Sequence, residues 1–414
     1  MDKILNLFAF LPFSIVVSCL ISIHCISTIN AQEFEFNPHD YYSIEDYQST
    51  ADGKSISTSE EKSFATLEEE STSSSDDTSD QDSEDSEKEN CINNQIQSVL
   101  HSNNADDMKT DSYYSDFHFI KKFNKNGTLV DSWGNVGSND GEFLHAHGIT
   151  IDSEDNIYVS DAENCNIQKF DNNGTFITMW GKKGKSGGEF LQPESMAVDS
   201  RDNIYIAEYS AENIQKFDNN GTFITMWGKK GDDEGEFKKP WGVALDSKNN
   251  VYVSDQALPR VQKFDSNGSF IDMWGKKGEK KGQFVHQHDI TVDANDLVYV
   301  TDGRQNSRIS VFDDTGKFIK HWGSEGKNEG QFIENHGIVV DSEGNVYVVD
   351  TRNVRIQKFN NDGNFITMWG SLGCKDNQFL IPHDIAIDSK GYVYVTDSGK
   401  SHFRANYDCN KNSK

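Results

Sequence analysis

A Trp-Gly pair recurs six times along the chain, its tryptophans being Trp133, Trp180, Trp227, Trp274, Trp322 and Trp369, at spacings of 47, 47, 47, 48 and 47. A phenylalanine preceded by Glu or Gln keeps the same step at Phe143, Phe190, Phe237, Phe284, Phe332 and Phe379. A period this long exceeds that of leucine-rich repeats and suits four short strands per unit. Units of this kind bury their apolar faces only against each other, so the repeat dictates a stacked or closed array.

One repeat reads as strands throughout. Gly148–Asp152 is a short apolar inner strand, and Ser153–Asn156 supplies turn-forming side chains. Ile157–Asp161 is rich in β-branched and aromatic residues. Ile167–Phe170 alternates with period two, Asn172-Asn173-Gly174 suits a tight hairpin, and Phe176–Trp180 forms the outermost strand. No segment has helical periodicity. The last repeat has only its inner strands, Asp384–Asp388 and Tyr392–Asp397. Two outer-type strands, 119–123 and 129–133, precede the first repeat. Joining the ends completes a sixth unit and removes the exposed edges of an open array. The expected fold is therefore all-β: a six-bladed β-propeller of four-stranded blades over residues 116–410. A degenerate segment at 402–407 competes for the slot of residues 119–123.

Residues 336–359 read HGIVVDSEGNVYVVDTRNVRIQKF, one copy of a pattern that runs through residues 117–397. This pattern resembles the NHL repeat, in residue type, spacing and copy number. The resemblance implies a six-bladed propeller; it says less about activity.

Charge divides the chain. Its formal net charge is −28, and residues 32–115 hold 22 Asp/Glu against 4 Lys/Arg. That Ser/Asp/Glu-rich stretch has too few apolar side chains to offset the entropy of ordering, and reads as a disordered acidic spacer. An acidic chain gains nothing from counterion release at phosphates, which argues against nucleic acid. Residues 1–31 carry Lys3, an apolar run from Ile4 to Ile23 and a small-residue end at Ala31. They read as a cleaved signal peptide or an uncleaved signal anchor, the only expected tie to a membrane. The expectation is an extracellular monomer, secreted or surface-anchored. Cys91, Cys165, Cys374 and Cys409 show no tight spacing and no C-x-x-C pair, and read as thiols outside any disulfide framework.

Aligning the fourth residue after each marker Phe gives His147, Glu194, Trp241, His288, His336 and His383. The loops that lead into the inner strands should bring these six to the central channel. Alternate blades place ligands at about 120° around the axis, which makes Glu194, His288 and His383 a candidate site for zinc or another divalent transition metal. The bland alternative is six polar loop residues bonded to nearby carbonyls. The segments Ile381–Ile385, His147–Ile149 and Asp302–Ile309 resemble peptidyl-α-hydroxyglycine amidating lyases, propellers that contain zinc and calcium. That resemblance implies His147, His336 and His383 as zinc ligands and Asp384 as a calcium ligand. Such lyases also place an arginine and a tyrosine over the metal; Arg304 stands where the matching segment has the tyrosine, and Arg352 is one place displaced.

Other motifs carry less. Gly181–Ser186 lacks the first glycine of a phosphate loop and opens no helix. The sequons at Asn126, Asn173, Asn220 and Asn267 fall on hairpin turns that favour Asn-Gly in any case. The function expected first is a non-catalytic module whose top face binds a protein, peptide or glycan. The second is a zinc-dependent lyase in the channel.

Overall fold

The computed structural model describes residues 119–398 except 374 and 376. The expected export segment, the acidic spacer, the 402–407 competitor, Cys91, Cys374 and Cys409 lie outside the described residues.

Strands β1 (Ile120–Phe123) and β2 (Leu129–Trp133) come first, then the short β3 (Asn135–Val136) and β4 (Glu142–Phe143). The first full blade holds β5 (Ala146–Ile151), β6 (Ile157–Asp161), β7 (Asn166–Phe170) and β8 (Phe176–Trp180). The same meander repeats in β9–β12 (193–227), β13–β16 (240–274), β17–β20 (287–322) and β21–β24 (335–369). The chain closes with β25 (Pro382–Ile387) and β26 (Val393–Asp397), in a sheet of order β2-β1-β26-β25. Ile120 faces Thr396 and Phe123 faces Val393. The ring is shut by two strands from each end, the first of the closures the terminal repeats allowed.

The repeated residues explain the repeated geometry. Asp152 accepts the N–H groups of Glu154 and Asn156 and the Tyr158 hydroxyl, and its second oxygen lies 3.3 Å from the Lys169 ammonium. Lys169 lies across the Tyr158 ring. Blades two, three and five repeat this network through Lys216, Lys263 and Lys358. Apolar burial is concentrated between blades: Tyr158 of the first packs with Phe190, Ile204, Ile206 and Phe217 of the second. Six such clusters surround the axis, and the one holding Tyr394 joins the last blade to the first. Each glycine of the outer hairpin turns, from Gly127 to Gly363, abuts the outermost-strand tryptophan of the neighbouring blade. A Cβ on Gly221 (φ +81°) would lie 2.5 Å from the Trp180 ring, so only glycine fits there.

Two expectations change. The inner strand starts at Ala146, earlier than Gly148, and slips register between Ala146 and Ile149. The channel residues therefore sit on the inner strands, at a bulge, rather than in the loops before them. Cys165 is buried and disulfide-bonded, which overturns its reading as an incidental thiol. Every other cysteine lies outside the described residues.

Candidate functional site

The inner strands β5, β9, β13, β17, β21 and β25 pack side by side around the axis. His147, Glu194, Trp241, His288, His336 and His383 each occupy the second position of one of them, and all six are buried. They meet. The His147 Nδ1 lies 2.7 Å from a Glu194 carboxylate oxygen. His336 and His383 approach Nδ1 to Nδ1 at 3.3 Å. Ring centroids are 4.4 Å apart for His147 and His383, 4.0 Å for His288 and His336, and 5.1 Å for Trp241 and His288.

Two residues before each of these, in the segment that leads into the strand, lies a second ring: His145, Gln192, Lys239, His286, Glu334 and Ile381. The ring centroids of His145 and His147 are 5.4 Å apart and those of His286 and His288 4.6 Å. The loop carrying them is pinned by a buried carboxylate at the end of the second strand. Asp161 accepts the N–H groups of Leu144 and His145, and Asp302 those of Val285 and His286.

Glu334 is the electrostatic centre of this upper ring. Arg304 donates through Nε to one carboxylate oxygen at 3.2 Å, and the Arg352 Nε ion-pairs with the other. Burial would push the Glu334 carboxyl up; His336, Arg352 and Arg304 outweigh it and hold the group at about 2. Burial, reinforced by Arg304, brings His286 down to about 4, and burial with His336 nearby holds His288 well below its ordinary value. Both imidazoles are neutral at physiological pH. Among the described non-glycine residues with positive φ, Arg304 (51°) and Glu334 (57°) do not belong to a turn position shared by several blades. Such conformations cost about 1–3 kcal/mol and gather at functional sites. Here two of them touch.

Below the rings, alternate blades carry Gly148, Gly242 and Gly337, and the blades between carry Ser195, Asp289 and Asp384. A Cβ on Gly242 or Gly337 would lie within 2.8 Å of the neighbouring aspartate's backbone. Ser195 Oγ is 3.1 Å from Asp289, which accepts the Ile338 N–H, while Asp384 accepts the Ile149 N–H. These oxygens serve the N–H groups of the next blade's inner strand. Burial pushes both carboxyls up, and Asp384 hydrogen-bonds to Asp289. Asp384, the residue the lyase resemblance marks for calcium, thus stands beside a second carboxylate. Together with Met196, Val243 and Ile290 the trio lines an open cavity of about 200 Å³.

Candidate metal ligands collect in two groups among the described residues. One is His145, His147 and His383; the other is His286, His288 and Glu334; within each, the ligand atoms lie within 4.8 Å of one another. Each group mixes the two rings, whereas the sequence sets took all three ligands from the lower one. His147 and His383 fall together; His336 and Glu194 belong to neither group. Imidazoles with a carboxylate suit a divalent transition ion, so the donors present fit zinc.

A family model described as "6-bladed beta-propeller" (DUF5128) matches residues 153–225 and 285–368. No curated protein matches the chain. A solved protein of unknown function from Bacteroides thetaiotaomicron is 15% identical with a TM-score of 0.50, covering 67% of this chain and 76% of its own. A streptogramin B lyase is 16% identical with a TM-score of 0.48, covering 69% and 96%. A gluconolactonase from Xanthomonas campestris is 12% identical with a TM-score of 0.47, covering 62% and 87%. At such identities the likeness is one of fold. Repeat, sheet order and ring closure meet in one description: the chain is a six-bladed β-propeller.

Proposed function

We propose that the chain is an exported binding module whose top face takes the acidic part of a protein, peptide or glycan partner. The observation that carries this reading is the Arg304–Glu334–Arg352 cluster, in which two guanidiniums converge on one carboxylate. The pairing leaves a surplus positive charge at the channel mouth of a chain whose net charge is −28. The Arg304 side chain is 46% exposed, within reach of a ligand. Guanidinium is the group best shaped for two-point contact with a carboxylate or sulfate. Lys239 lies over the Tyr209 ring, and Tyr209 packs edge-on against Trp241, adding a cation and aromatic surface beside the mouth.

Arrays of acidic and neutral peptides and oligosaccharides, probed with the purified chain, test the reading. Acidic members should bind, more weakly as salt rises, and the double variant R304A/R352A should lose roughly tenfold or more in affinity. Binding indifferent to both arginines would remove the proposal. A second reading, a zinc-dependent lyase, is favoured by the His145/His147/His383 group, which shares two histidines with the lyase-like set. Metal-dependent cleavage of a peptidyl-α-hydroxyglycine by the wild type would put that reading first.

A further inference from the structure

We propose that His286, His288 and Glu334, from the adjacent fourth and fifth blades, form a site for one divalent first-row transition-metal ion, with zinc as its ordinary occupant. The set differs from the alternate-blade trios, and it is built from the outside as well as the inside.

The three ligand atoms lie within 4.8 Å of one another. His286 and His288, two residues apart in sequence, bring their rings together, with centroids 4.6 Å apart. A ligating histidine normally has its other ring nitrogen fixed by a carbonyl or carboxylate. His288 has this: Nδ1 lies 3.1 Å from the Asn335 carbonyl oxygen, which places the proton there and leaves Nε2 for a metal. Its ring is also confined, because even a Cβ on Gly303 would come within 3.1 Å of it. His286 is anchored through its main chain, donating to Asp302 at 2.9 Å and accepting from Gly303 N–H at 2.9 Å. Its Nδ1 is buried without a hydrogen-bond partner. Such an atom is costly to leave unsatisfied, and a bound cation would satisfy it. Glu334 is aimed by two arginines, each using one N–H per oxygen and leaving lone pairs over.

Three protein donors leave open coordination positions, flanked by Arg304 and Arg352, where an anionic group could complete the shell.

The test uses the full chain and Zn²⁺ alone. Protein stripped with EDTA, equilibrated with zinc and dialysed should retain one ion per chain by elemental analysis, and the ion should raise the melting temperature. H286A, altering a half-buried residue that need not disturb folding, should lose the retained zinc and the thermal shift. H145A and H383A should keep both. E334Q should weaken binding by roughly 10- to 100-fold or more. Zinc retained by H286A, zinc lost in H145A or H383A instead, or no zinc in the wild type would each overturn the assignment. Acidic-ligand binding by the stripped protein is measured separately, so either proposal can fail alone.

Discussion

At the scale of single residues, the second strand of each described blade ends on a buried carboxylate, and in the second blade that residue is Glu208 rather than aspartate. It accepts the N–H groups of Leu191 and Gln192 at 2.6 and 2.7 Å, and burial pushes its carboxyl up to about 7. A raised value means that the folded chain holds this proton more tightly than the unfolded chain. The stability so gained is complete below about pH 4.5 and is lost as pH rises through 7. Linkage puts the largest possible loss on the order of 3 kcal/mol. Gln cannot ionise, so the melting temperature of E208Q relative to wild type should climb between pH 5 and pH 8. A gap that stays constant across that range would show that Glu208 does not titrate there. Alignment made the lower channel ring legible because it keeps polar and aromatic residues in register. The upper ring was less legible: the same alignment brings His145, Gln192, Lys239, His286, Glu334 and Ile381 into register two residues after each marker Phe, but they share no residue type that would mark them as a site.

At the scale of elements, the one irregular spacing has a structural address. Asp302 pairs with Arg308, six residues on, where Asp350 pairs with Arg355, five residues on. The extra residue of the fourth repeat therefore lies in the 302–308 turn, the turn that holds Arg304 at φ 51° against Glu334 of the next blade. The spacing of 48 was visible in the sequence, but its meaning needed the sheet register. Deleting Gln305 leaves Asp302-Gly303-Arg304-Asn306-Ser307-Arg308, the length and pattern of residues 350–355. That variant should fold with a melting temperature close to wild type, because the four other blades that carry this turn all use the shorter version. It should also withdraw Arg304 from Glu334 and weaken acidic-ligand binding about as much as R304A does. Calorimetric titration of an acidic peptide beside a thermal melt reads both outcomes. Undiminished binding by a folded deletion variant would separate the insertion from recognition.

At the scale of the whole molecule, closure was legible from the two outer strands at one end and the two inner strands at the other, and the pairing of β1 with β26 is the two-plus-two arrangement. The join is also where one buried pattern changes. Lys121 replaces the glutamine found at this position in four of the other blades. Gln168 donates to the Glu142 carbonyl and accepts from Gly141 N–H; Lys121 reaches the Gln378 carbonyl and also pairs with Asp397 at 3.2 Å. Asp397 in turn accepts the N–H groups of Leu380 and Ile381, which position His383 two residues on. The last blade, and with it one side of the channel, thus depends on a strand from the other end of the propeller. Removing one partner of a buried ion pair costs about 3–5 kcal/mol, so K121A should lower stability by that order. Deleting residues 116–134 should do more. It strips β26 of its neighbour, exposes Phe379 and Val395 from their cluster, and opens a ring whose remaining blades rest on one another in series. Thermal unfolding followed by circular dichroism should show a broad, early transition in place of one cooperative step. An unchanged single transition would mean that five blades hold the ring without the sixth.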